Sequence, residues 1–105
     1  MRAISYIHAL DVNNILRVQF EVEQGRILSF VAQLECYFED NGWLPVVRYD
    51  TAHGFVHRDK MQPGKETEKT KTPVGSYEEG LNYGVDDLKA NWQAYRRRYE
   101  EWLEN

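Results

Sequence analysis

The sequence predicts an α+β domain: an antiparallel meander sheet of four to five strands, with one long C-terminal helix packed on one face. Three observations carry this expectation. Apolar and polar residues alternate with period two from Leu16 to Phe38, the signature of half-buried strands. Gly25 and Asn41-Gly42 punctuate that pattern at hairpin spacing, and Asn-Gly is a strong turn signal. A single apolar stripe then runs from Leu81 to Trp102 at helical spacing.

The first ten residues fit neither period cleanly, and Asp11-Val12-Asn13-Asn14 reads as a turn. Leu16, Val18, Phe20 and Val22 then form one strand face, followed by Leu28, Phe30, Ala32, Leu34, Cys36 and Phe38. Residues directly opposite in a hairpin share a face. A three-residue loop, Gln24-Gly25-Arg26, satisfies this by setting Val22 opposite Leu28 and Phe20 opposite Phe30. Gly25 or a bulge absorbs the extra residue. Across Asn41-Gly42, Phe38 falls opposite Pro45, Cys36 opposite Val47 and Leu34 opposite Tyr49. Pro45, Val47 and Tyr49 then face the core. Leu44, Val46, Arg48 and Asp50 form the reverse, with Glu35 opposite Arg48. Pro45 has no N–H for the ladder, which demands an edge or a bulge there. A turn within Thr51–Gly54 leads into a strand over 55–61 that puts His57 and Asp59 on the Arg48/Asp50 face. Met61-Gln62-Pro63-Gly64 is a turn. The lysine- and threonine-rich stretch from Glu66 to Thr72 is a short charged edge strand or a loop.

Ser76 and Glu79 form a capping-box pattern that opens the helix. Its stripe is Leu81, Val85, Leu88, Trp92, Tyr95, Tyr99 and Trp102. Gly80 and Gly84 weaken it by about 1 kcal/mol each, which close approach to the sheet or a kink would explain. An unbroken helix to Glu104 spans roughly 42 Å, against a radius of gyration of about 13 Å for a domain this size. The helix therefore overhangs, bends or packs on a partner. Its aromatics either cover the sheet as core or form an interface, for example in a homodimer.

With 105 residues, the chain is expected to be a single domain over 1–105. Hydrophobic residues make up 42% and aromatics 13%, enough burial to exclude disorder as the main state. No apolar run approaches the ~18 residues of a membrane span. One cysteine forms neither an internal disulfide nor a cysteine-rich zinc site. The start, Met-Arg-Ala-Ile-Ser-Tyr, lacks the apolar stretch of a signal peptide, and the expected location is the cytoplasm. The net charge of −4 excludes a global cationic field for nucleic acid. Locally the balance changes: residues 48–72 carry six bases and four acids, and residues 77–105 four bases and seven acids. The middle of the chain is therefore either a mixed-charge solvated surface or a local phosphate site.

The densest chemistry is Arg48-Tyr49-Asp50-Thr51-Ala52-His53-Gly54-Phe55-Val56-His57-Arg58-Asp59. Arg48, Asp50, His57 and Asp59 are expected on one sheet face, away from the helix. Three readings fit. The first is cross-strand ion pairing on an open sheet: Glu35 with Arg48, Asp50 with His57, Arg48 with Asp59. The second is acid–base chemistry, with Asp50 orienting the His57 imidazole, His53 as a second proton carrier and Arg48 as anion clamp. That set suffices for cofactor-free, metal-free RNA cleavage by the 2′-hydroxyl. The third is a metal site from His53, His57 and Asp59. Elsewhere, His8 reads as structural, Cys36 as an inert buried thiol, and Arg96-Arg97-Arg98 as a solvated face near the helix C-terminus.

The same stretch, with Tyr-Gly-Val-Asp-Asp-Leu-Lys-Ala-Asn-Trp at 83–92, resembles a family of small prokaryotic proteins known as a domain of unknown function, over roughly Trp43 to Trp102. It is also distantly similar to the TumE toxins of toxin–antitoxin systems. Those carry Arg-Tyr-Asp, a Gly a few residues on, then His-Arg-His. Arg48, Tyr49, Asp50, Gly54, His57 and Arg58 match, and Asp59 replaces the last histidine. The resemblance implies a small cytoplasmic toxin acting on RNA and neutralised by an antitoxin-like protein partner. The alternative is a non-catalytic interaction module using the aromatic helix or the open sheet face, as a partner-binding or phage/defence accessory protein.

Overall fold

The computed structural model describes residues 1–104. Six strands and one helix follow in order: β1 (Arg2–Asp11), β2 (Asn14–Glu23), β3 (Arg26–Phe38), β4 (Gly42–Asp50), β5 (His57–Lys60), β6 (Glu68–Lys71) and α1 (Tyr77–Leu103). The strands form one antiparallel meander in sequence order. The α+β architecture is as the pattern predicts, with six strands rather than four to five. The extra strand is β1, where only Ile4 and Leu10 are half-buried and every other residue is exposed. A strand without a buried face leaves no period-two signal.

The turn between β2 and β3 is tighter than expected. Glu23 pairs with Arg26 and Val22 with Ile27, not Leu28, so Gln24-Gly25 alone make the loop. A bulge beyond Val22 restores the expected Phe20–Phe30 pair. Gln24 and Gly25 both take positive φ, 49° and 77°, as a type I′ turn requires. In the β3–β4 hairpin the turn pairs Phe38 with Gly42 and Cys36 with Leu44. A bulge between the Glu35–Pro45 and Leu34–Val47 pairs then corrects the parity. Leu34 therefore lies opposite Val47, not Tyr49, and Pro45 is exposed rather than in the core. The missing proline N–H is accommodated by a bulge, one of the two arrangements expected at Pro45.

Helix α1 lies across β3, β4 and β2. Beneath it are Leu16, Val18, Phe30, Ala32, Leu34, Val47 and Tyr49. Ser76 caps the helix by accepting from the Glu79 N–H at 3.1 Å, while the Glu79 carboxylate accepts from the Gly75 N–H at 2.9 Å. Gly80 and Gly84 mark the close approach. A Cβ on Gly84 would sit 2.9 Å from Tyr49 Cγ, and one on Gly80 2.6 Å from Val56 Cγ2. The body measures 46 × 26 × 20 Å, long enough to accommodate the roughly 40 Å of 27 helical residues. Trp92, Tyr95, Tyr99 and Trp102 are buried or half-buried, and Trp92, Tyr95 and Tyr99 pack with the core.

The arginine run is not a plain solvated face. Arg96 stacks 4.5 Å from the Phe38 ring and donates to Asn14 Oδ1 at 2.7 Å and to the Tyr37 carbonyl at 2.8 Å. Arg98 donates to Glu68 Oε2 at 3.2 Å. Only Arg97 is exposed. His8 lies exposed on β1, and Cys36 is fully buried, its thiol pushed up to about 12 chiefly by burial. No helix among the described residues is long and apolar enough to cross a membrane.

Candidate functional site

The register places Asp50 directly opposite His57, and Arg48 opposite Asp59. All four alternate with Tyr49 and Arg58, which point to the helix side. Tyr49 donates to Asp87 Oδ2 at 2.7 Å, Tyr95 donates to the same oxygen at 2.6 Å, and Arg58 donates to the Tyr95 hydroxyl at 3.3 Å. Burial and the bond to Asp87 push the Tyr49 hydroxyl far above its ordinary range, and Tyr95 up to about 12. Both phenols therefore stay neutral donors. This network clamps β4 and β5 from behind. The expected sidedness of Arg48, Asp50, His57 and Asp59 holds.

The front of the sheet is more enclosed than an open face suggests. His57 is 3% exposed, Asp59 5% and Asp50 8%. His57 Nε2 lies 2.8 Å from Asp50 Oδ1 and 3.5 Å from Asp59 Oδ1. Asp50 Oδ1 also accepts from the Ala52 N–H at 3.2 Å. Asp59 Oδ2 receives Lys69 Nζ at 3.2 Å from the neighbouring strand β6. His57 Nδ1 and Asp59 Oδ1 are buried without a hydrogen-bond partner. Such orphaned polar atoms are costly to hold in a folded interior.

The 51–56 loop is fixed at both ends. Thr51 Oγ1 accepts from the Phe30 N–H at 3.1 Å, and the Val56 carbonyl accepts from the Thr72 N–H at 2.9 Å. Gly54 turns the chain at φ 82°, a conformation glycine adopts without strain. His53 and Phe55 project from this loop, their rings 5.3 Å and 5.6 Å from His57. His53 itself is exposed. It stands at the rim and outside the convergent cluster. The grouping suited to a metal is Asp50, His57 and Asp59, where the sequence suggested His53, His57 and Asp59.

Arg48 does not pair with Glu35. The turn that pairs Phe38 with Gly42 sets Glu35 opposite Pro45, and the bulge at Val46 of β4 then sets Gln33 opposite Arg48. Arg48 Nε donates to Gln33 Oε1 at 2.7 Å, Gln33 donates to Glu35 Oε2 at 2.8 Å, and Arg17 binds the same Glu35 oxygen at 2.7 Å. Burial raises the Glu35 carboxyl, but the bonds from Arg17 and Gln33 outweigh it and leave the group below its ordinary range. Arg48 and Asp50 share a groove of about 260 Å³ with Arg17, Gln19, Val31 and Gln33. Asp50 also lines a larger groove of about 570 Å³ toward β1, with Ser5, Glu21 and Ser29. Asp50 is thus the residue where the buried cluster meets the open face. Gln33, Thr51 and Lys69 were not singled out from the sequence. The β5–β6 register would have revealed Lys69, but the earlier β3–β4 turn and its bulge hide Gln33.

No curated protein and no solved structure matches the chain. No match links the chain to TumE toxins. A family model described as a domain of unknown function, DUF7718, matches residues 1–105, beyond the Trp43–Trp102 stretch that carried the resemblance. The chain belongs to the DUF7718 family of domains of unknown function.

Proposed function

We propose that the open sheet face carries out metal-free acid–base chemistry on RNA phosphodiesters, with the chain acting as a TumE-like toxin. The supporting observation is the Asp50–His57 contact at 2.8 Å, with Asp50 and Arg48 lining one groove. The arginine fork holds a phosphate. The Asp50 carboxylate takes the 2′-hydroxyl proton, with His57 behind it as proton reservoir. The 2′-oxygen attacks phosphorus, and the 5′-oxygen leaves with the returned proton. Asp59 and Lys69 set the charge around the imidazole. The test is incubation of the full chain with RNA in EDTA. The proposal expects 2′,3′-cyclic phosphate ends and their loss in Asp50→Asn and Arg48→Ala. Cleavage unaffected by either change, or none at all, contradicts it.

A protein-interaction role is favoured by a different observation. The edge strand β1 runs ten residues and is exposed over almost its whole length, with Tyr6 and Ile7 at 44% and 56%. Open edges of this kind pair with other chains, whether a second copy or an antitoxin-like partner. This reading predicts a defined assembly that a proline at Ile7 (Ile7→Pro) disperses, without RNA turnover.

A further inference from the structure

We propose that Asp50, His57 and Asp59 form a three-ligand site for one divalent transition-metal ion of the zinc class. The inference goes beyond the proton chemistry above, because it assigns a second occupant to the same atoms. Asp50 and His57 meet across one strand pair, and Asp59 lies two residues along β5 on the same face. Their ligand atoms lie within 4.8 Å of one another. A tetrahedral ion with bonds of about 2.1 Å sets its ligands about 3.4 Å apart. The observed 2.8 and 3.5 Å from Nε2 to the two carboxylates bracket that spacing.

A second observation points into the same space. Asp59 Oδ1 is buried, has no hydrogen-bond partner and faces Nε2. One hydrogen on Nε2 cannot fully serve two carboxylates that converge on it. A dication neutralises both carboxylates, with Nε2 releasing its proton on binding. The N₁O₂ donor set suits zinc, manganese or iron(II), whereas magnesium prefers oxygen ligands and octahedral geometry. Because the ion takes Nε2, it and the dyad's proton exclude each other, so bound metal would silence the EDTA-resistant cleavage.

The experiment titrates the EDTA-stripped full chain with Co²⁺, followed by visible absorption, and with Zn²⁺, followed by calorimetry. The proposal expects one ion per chain and no competition from Mg²⁺. Asp59→Asn should weaken binding by more than the roughly 10–100-fold that loss of an outer-shell partner costs. His53→Ala should leave it unchanged. Addition of Zn²⁺ to the wild-type chain should shift the His57 imidazole nitrogen resonance. Absence of saturable binding overturns the proposal. So does binding that survives Asp59→Asn, fails in His53→Ala, or leaves the His57 resonance in place. None of these measurements involves RNA, so failure here and failure of the cleavage reading are separate results.

Discussion

Gly84→Ala tests how the helix holds the site strands. Alanine is favoured over glycine inside a helix by about 1 kcal/mol, so propensity alone predicts a stabilised variant. The new Cβ would meet Tyr49 Cγ at 2.9 Å, Cβ at 3.0 Å and Cδ2 at 3.1 Å. Tyr49 cannot turn aside. It is 1% exposed, its Cβ is fixed to β4, and its hydroxyl is tied to Asp87. Ordinary contact therefore requires the helix to lift by about half an ångström, an overpacking cost of about 1–3 kcal/mol. With no flexible neighbour to yield, the upper part of that range applies. The net loss is about 1–2 kcal/mol, or about 5–10 °C in Tm for a domain of this size. Thermal unfolding followed by circular dichroism reads it, with Gln93→Ala on the exposed face as propensity control. A Gly84→Ala chain as stable as wild type, or more stable, would refute the close packing of α1 on Tyr49.

Three further outcomes follow from named contacts. Arg96→Ala removes bonds to Asn14, Tyr37 and Glu100 and the stacking on Phe38; charged hydrogen bonds and cation–π contacts of this kind predict a loss of about 2 kcal/mol in urea unfolding. Cys36, buried and with its thiol pushed up to about 12, should resist a thiol reagent in the native chain and react at once in denaturant; rapid native labelling would contradict its placement. The Glu35 carboxyl is held below its ordinary value, so its contribution is present above the unfolded value and is lost as pH falls through the folded one. The stability gap between wild type and Glu35→Gln should therefore close on acidification below the ordinary glutamate range.

Sequence periodicity carried most of this architecture, and its failures have local causes. Leu16 to Phe38 and Leu81 to Trp102 each bury one face, and burial is what imprints a period. β1 buries neither face and was invisible. Pairing by parity succeeded for Asp50–His57 and Arg48–Asp59 because no bulge lies between β4 and β5. It failed for Glu35–Arg48 because the chain turns earlier than expected, pairing Phe38 with Gly42, and the one-residue bulge then sets Gln33 opposite Arg48. The same sequence showed which candidates share a face but not their enclosure. The His57 and Asp59 burial depends on β6 and on the 51–56 loop. Arg96 looked like part of a solvated run because contacts with Asn14 and Tyr37, far away in the chain, have no local signature.

The meeting of two carboxylates at His57 Nε2, on the side of the sheet that α1 leaves uncovered, is most directly tested by long-range ¹H–¹⁵N spectroscopy of the imidazole in the metal-stripped chain. The structure predicts a proton on Nε2 that exchanges slowly with solvent and whose resonance moves in both Asp50→Asn and Asp59→Asn. A proton residing on Nδ1, or an Nε2 signal that exchanges freely and ignores both substitutions, would contradict it.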